Sequence, residues 1–160
     1  MEFRNELVRR QDRLLDYDEA ITLLINGEYG VLSINSEKGA YGIPLSYVWD
    51  GEDIIYFHCA YEGEKLRLLE VNPNVSFCIV GKTNVVSNKF TTGYESIILK
   101  GSIVKDLSED EREKALESIL DKYSPNDKVL GMQYSKKSFH RTNVIKLMIE
   151  TFSGKCKKVK

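Results

Sequence analysis

Apolar and polar positions alternate with period two over most of this chain, and switch to the helical period in three places. Tyr29 to Ile34 reads as a first strand, rich in β-branched and aromatic residues, and Asn35 to Gly39 as a turn. Ala40 to Trp49 reads as a second strand, and Asp50-Gly51 as a hairpin signal. Asp53 to Cys59, Val75 to Val80, Phe90 to Lys105 and Thr142 to Phe152 follow as further strands, with Gly101 as the bend in the long one. Asp16-x-x-Glu19 and Ser108-x-x-Glu111 have the spacing of capping boxes. Ile21, Leu24 and Ile25 follow the first, with Gly27 as its stop. Leu116, Ile119, Leu120 and Tyr123 follow the second as an amphipathic stripe. A third helix, Glu62 to Asn72, turns Leu66 and Leu69 inward and halts before Pro73.

Strands in hairpin order with helices outside imply a mainly β fold: a six-stranded antiparallel barrel, split or closed, with flanking helices, in one domain over residues 1–160. There is no β–helix–β rhythm, no G-x-G-x-x-G and no P-loop, which sets aside a Rossmann or P-loop nucleotide site.

Composition narrows the function classes. Lys+Arg 23 against Asp+Glu 24 gives a net charge of −1, so a polyanion is not attracted and nucleic acid is not an expected partner. No run of 18 apolar residues suggests a membrane span, and Met1 to Glu6 lacks the apolar core of a signal peptide. Cys59, Cys78 and Cys156 are odd in number and widely spaced, which argues against a disulfide framework and for a cytoplasmic location. Two histidines, His58 and His140, give no metal-ligand spacing, so no metal is expected.

The second strand carries the first candidate chemistry. Tyr41, Ile43, Leu45, Tyr47 and Trp49 fall on one face, bulky enough for a core. Ala40, Gly42, Pro44, Ser46 and Val48 fall on the other, which is mostly small and lets a flat ligand approach. Pro44 cannot donate to a ladder and marks an edge, where free backbone groups can meet the polar rim of a ring; a plain edge strand reads the same way. The third strand runs into a helix through Tyr56-Phe57-His58-Cys59-Ala60-Tyr61-Glu62-Gly63-Glu64-Lys65. A helix start, a glycine and a lysine together favour a phosphate. His58 can donate to a phosphate or to a ring edge; taken alone it reads more readily as a half-buried barrel histidine with one backbone partner. Thr92, Tyr94 and Ser96 present hydroxyls on one face, and Lys155 ends the last strand; ordinary β-propensity and a solvated tail are the plain alternatives.

The block Gly51-Glu52-Asp53-Ile54 through Lys65-Leu66 closely resembles the central motif of the nitroimidazole-resistance (Nim) family, part of the pyridoxamine 5′-phosphate oxidase-like split-barrel flavoproteins. Ile43-Pro44-Leu45-Ser46-Tyr47, Asn72-Pro73-Asn74-Val75, Thr91-Thr92-x-Tyr94-x-Ser96, Lys100-Gly101 and Ser153-Gly154-Lys155 fit it in order. The resemblance implies an FMN-binding split barrel and a homodimer with FMN between subunits. It implies that Pro44, Leu45, Ser46 and Tyr47 line the ring. His58, Cys59, Ala60, Gly63 and Lys65 then approach the cofactor, with Tyr94, Ser96 and Lys155 as further contacts. His58 is the one side-chain candidate for a catalytic role. The implied function is an FMN-dependent oxidoreductase that takes electrons from a nicotinamide donor. It would reduce a small-molecule acceptor, of which nitroaromatic compounds, 5-nitroimidazoles among them, are the family's named examples. Two other readings stay open: a flavin-binding or redox-sensing module without turnover, and a pyridoxamine 5′-phosphate oxidase proper. The latter needs a second phosphate site, and no arginine-rich cluster marks one. Val86 to Phe90 departs from the family pattern, so no substrate contact is assigned there.

Overall fold

The computed structural model describes residues 1–159. The strands are β1 (Glu2–Phe3), β2 (Gly30–Ser36), β3 (Gly39–Leu45), β4 (Val48–Trp49), β5 (Ile54–Cys59), β6 (Asn74–Val86), β7 (Thr91–Val104) and β8 (Asn143–Lys157). The helices are α1 (Tyr17–Asn26), α2 (Glu64–Val71), α3 (Glu109–Tyr123) and α4 (Lys128–Ser138). The strands form one sheet in the order β3-β2-β6-β7-β8-β5-β4, with β1 parallel to β8 beside this path and the other pairs antiparallel.

Chain continuity forces this sheet to roll up. Seven strands laid flat span roughly 29 Å at the usual strand spacing. Yet β3 and β4, at opposite ends of the order, are joined only by Ser46 and Tyr47, a link that reaches at most about 11 Å. The ends must therefore meet, and the result is a barrel. Among the described residues no ladder joins β3 to β4, so the barrel is split along that seam. Its interior is filled by alternate residues of each strand. Leu32, Phe57, Phe77, Ile79, Ile97, Leu99, Ile145, Leu147 and Phe152 are all buried, and α1 plugs one end with Ala20 and Leu24.

The count is eight strands rather than six. The expected second strand is two, β3 and β4. Alternation fails at the seam, where Tyr47 and Val48 are both buried although they are neighbours. The other added strand, β1, is two residues held by β8. The fourth strand runs on to Val86 past a register shift between Val80 and Thr83. A fourth helix, α4, occupies a stretch with no clear apolar stripe; none of its residues is buried. The N-cap half of both expected capping boxes forms: Asp16 accepts from Glu19 N–H at 2.8 Å and Ser108 from Glu111 N–H at 3.2 Å, while the Glu111 carboxylate turns instead to Lys146 and Tyr56. Gly101 sits at the β7–β8 register shift, where a Cβ would lie 1.9 Å from Met148 O. No helix among the described residues is long and apolar enough to cross a membrane.

Candidate functional site

The seam is where the chemistry gathers. Tyr47 does not face outward: its ring packs edge-on against Phe77 at 5.2 Å and its hydroxyl donates to Leu24 O at 2.7 Å. This burial pushes its phenol pKa up. The Tyr123 hydroxyl, at the end of α3, accepts from Tyr47 N–H at 2.9 Å. It also lies within hydrogen-bond reach of Tyr47 O (2.9 Å) and Glu28 O (2.7 Å), between which its one proton is shared. Lys122, beside it, holds Nζ 3.6 Å from the Tyr47 ring centroid. Helix α3 thus pins the link that closes the barrel.

Two cavities meet there. The larger, about 890 Å³, is lined by Pro44, Leu45 and Ser46 together with Ile25, Asn26, Glu28, Tyr29, Lys122 and Tyr123. The smaller, about 470 Å³, lies under α3 and α4 and reaches His58; Ser46 and Tyr123 line both. Pro44 stands on the end strand β3, paired only with β2, so the outer backbone edge beside it has no strand partner.

His58 is opposite Val144 on the outer side of β5. Its ring opens to solvent through the cavity mouth, yet the surrounding walls disfavour its charged form. Burial first, and the Lys65 charge second, pull its pKa below the ordinary histidine value of 6.5, so the ring is neutral at pH 7. At Cys59 burial raises the thiol while Lys65 opposes it. Lys65 therefore acts on both residues across the turn from β5 to α2. In that turn Gly63 adopts φ 142° and ψ 167°, a conformation reserved for glycine, with open space where a Cβ would stand. No side chain caps α2. Leu66 and Arg67 N–H donate to Gly63 O, while Ala60 and Glu62 are exposed at the rim.

The remaining candidates lie elsewhere on the chain. Ser96 and Lys155 are cross-strand partners on β7 and β8, and Tyr94 pairs with Lys157. They occupy the outer face three and four strands from Pro44, roughly 14–19 Å along the sheet.

Sequence reasoning missed Lys122 and Tyr123 as site residues. Tyr123 ends the apolar stripe of α3 and reads as core; nothing local shows that its hydroxyl returns to Tyr47. Lys122 in a last helical turn reads as a partner for the helix dipole. Glu111, read from the sequence as the far member of a capping box, accepts from Lys146 Nζ (2.7 Å) and the Tyr56 hydroxyl (3.0 Å). Among the described residues no cluster of three His, Cys, Asp or Glu side chains is arranged for a metal.

Known structures share this architecture. A proposed 5-nitroimidazole antibiotic resistance protein from Bacteroides thetaiotaomicron is similar with a TM-score of 0.75 at 20% identity, over 90% of this chain and 86% of that one. An FAD and heme binding protein from Mycobacterium smegmatis gives 0.79 at 15% identity, over 93% and 75%. A flavocytochrome from Azotobacter vinelandii gives 0.73 at 16%, over 95% and 73%. At these identities the likeness establishes the fold, a mainly β split barrel with flanking helices. No curated protein matches the sequence. The model of the family described as pyridoxamine 5′-phosphate oxidase matches residues 16–156, nearly the whole chain, and the protein belongs to that family.

Proposed function

We propose that the protein is an FMN-dependent oxidoreductase that works as a homodimer, with its flavin held along the seam and its substrate a small oxidised acceptor. The observation that carries this reading is the β5–α2 turn. An uncapped helix start, a glycine with open space before it, and a lysine whose charge reaches His58 and Cys59 together form a cradle for a phosphate. Ser46, shared by both cavities, links that end to the free edge at Pro44 and Leu45, where a planar ring fits against backbone. The donor set fits a flavin phosphate: one full cation, free N–H groups and a neutral imidazole. Here Lys65 holds the phosphate and His58 offers a hydrogen bond without a competing charge. Pro44 to Ser46 orient the ring, and the pinned Tyr47 link keeps that edge in place. When bound, the flavin supplies the hydride and electron transfer that no side chain here provides.

The placement of Tyr94, Ser96 and Lys155 supports the dimer. They stand three and four strands from Pro44 in the sheet order, outside the cavities at the seam, and they lie on a sheet face bearing exposed Val31, Val80 and Ile98. A second copy seated on that face carries its own set toward the first chain's seam, and the site is then shared.

The test is spectroscopic. Purified protein should be yellow, bleach on addition of a nicotinamide nucleotide without oxygen, and recover colour on addition of a nitroaromatic acceptor. Protein that takes up no flavin contradicts the cofactor. Bound flavin that no donor reduces, or no acceptor from a broad panel reoxidises, contradicts the enzyme and favours a sensor.

A further inference from the structure

Two buried side-chain nitrogens among the described residues have no hydrogen-bond partner, Nε of Arg112 and Nζ of Lys122. Arg112 is otherwise engaged, donating through Nη2 to Phe139 O (3.0 Å) and Thr142 O (2.6 Å). Lys122 is not. Its amine meets ring faces, Tyr47 at 3.6 Å and Tyr123 at 5.4 Å from the centroids. A ring face attracts an ammonium but accepts none of its three N–H bonds as an oxygen would. A buried cation without an acceptor is disfavoured, so an amine in this position calls for a partner that completes it. The electrostatics agree, since burial lowers the Lys122 amine from 10.5 to about 8. The neighbouring carboxylate, Asp121, is already taken by Lys128 at 2.7 Å.

Lys122 stands in the wall of the larger cavity, whose other walls are Ile25 and Asn26 of α1, Tyr29, and Pro44 to Ser46. We propose that this cavity binds a small monocarboxylic acid, its carboxylate on Lys122 Nζ and its apolar body along Ile25 and Tyr29, beside the Pro44 edge rather than on it. Charge selects the class. The lining holds one cation and one carboxylate, Glu28. With Glu28 in the same lining the cavity has no net charge, so a carboxylate on the ammonium leaves one negative charge over and a phosphate dianion leaves two, at a steeper desolvation cost. Asn26, Ser46 and Tyr29 can hydrogen-bond the acid's other polar groups. The flexible four-carbon stem lets the amine turn from the Tyr47 ring toward the carboxylate. The site uses none of His58, Gly63 or Lys65, so it stands apart from the phosphate cradle.

The experiment follows the Lys122 side chain by NMR in protein carrying 13C-labelled lysine, with and without added FMN. Benzoate, butyrate and hexanoate are titrated to about 10 mM, with benzyl alcohol as the uncharged match to benzoate. The Lys122 resonance is expected to shift saturably with at least one acid, the alcohol binding at least about tenfold more weakly than benzoate if benzoate is the one. In Lys122→Met, which keeps length and packing, acid affinity is expected to fall about tenfold and alcohol affinity to stay. Lys122→Gln serves should the methionine variant not fold. Lys65→Ala is expected to leave acid binding intact while weakening FMN, which separates this site from the flavin reading. Three acids that leave the wild-type Lys122 resonance unmoved, or a Lys122 variant that keeps wild-type acid affinity, overturn the proposal.

Discussion

The outer surface of the barrel is finished in two different ways. Over β5 and β8 it is roofed by α3: Val144 is fully buried against Ala115 and Leu116, and Glu111 joins Lys146 and Tyr56 at the margin. Over β2, β6 and β7 the equivalent outward positions, Val31, Cys78, Val80 and Ile98, have no helix above them, and the three aliphatic ones are exposed. Both halves use the same pleated, apolar-studded strands, yet only one satisfies its apolar face within the chain. The difference shows where the fold is complete and where it awaits a partner. The seam with its two cavities, at Ser46, belongs to the border between them.

Breaking the roofed half should cost most. Val144→Asp places an unpaired charge under α3 and is expected to lower stability by about 3–5 kcal/mol in chemical denaturation. A loss under 1 kcal/mol would mean α3 does not seal this face. Removing the marginal ion pair comes next. Glu111→Ala leaves Lys146 and Tyr56 without their acceptor and is expected to cost about 1–2 kcal/mol at pH 7. The Lys146 and Tyr56 hydrogen bonds hold the Glu111 carboxyl below its ordinary value of 4.5. Its contribution is therefore present above that pH and lost as pH falls below it, so wild type and variant should converge in acid; a gap that persists at pH 3 would assign the effect to packing. On the bare half the same kind of change should hardly touch the fold. Ile98→Asp is expected to alter monomer stability by no more than about 0.5 kcal/mol, while sedimentation shows dimer giving way to monomer. A dimer that survives it, or a wild type that is already monomeric, removes the partner from the bare face.

Much of this was legible because it is local chemistry. The Asp50-Gly51 turn forms with Gly51 at φ 97° and Asp50 accepting from Glu52 and Ile54 N–H. The N-caps at Asp16 and Ser108 and the Gly101 irregularity are likewise written in neighbouring residues. What was hidden depends on distant ones. Helix α4 lacks a stripe because none of its residues is fully buried; it covers a cavity rather than packing into the core. The break at Ser46 and Tyr47 exists because the barrel must close there, and Tyr123 finds Tyr47 across 76 positions. In the candidate site, Pro44, Ser46, His58 and Lys65 converge as strand order and a β–α turn suggest. Tyr94, Ser96 and Lys155 do not join them in one chain, since a period-two pattern gives a residue's face but not its strand's place in the sheet.

The most direct measurement is a paired fluorescence titration of FMN and riboflavin, which differ by the phosphate alone, into wild type and Lys65→Ala. If the β5–α2 turn holds the phosphate, wild type binds FMN at least about tenfold more tightly than riboflavin, and Lys65→Ala erases most of that preference while leaving riboflavin binding unchanged. Equal binding of the two flavins by wild type, or an FMN preference that survives in Lys65→Ala, would contradict the account.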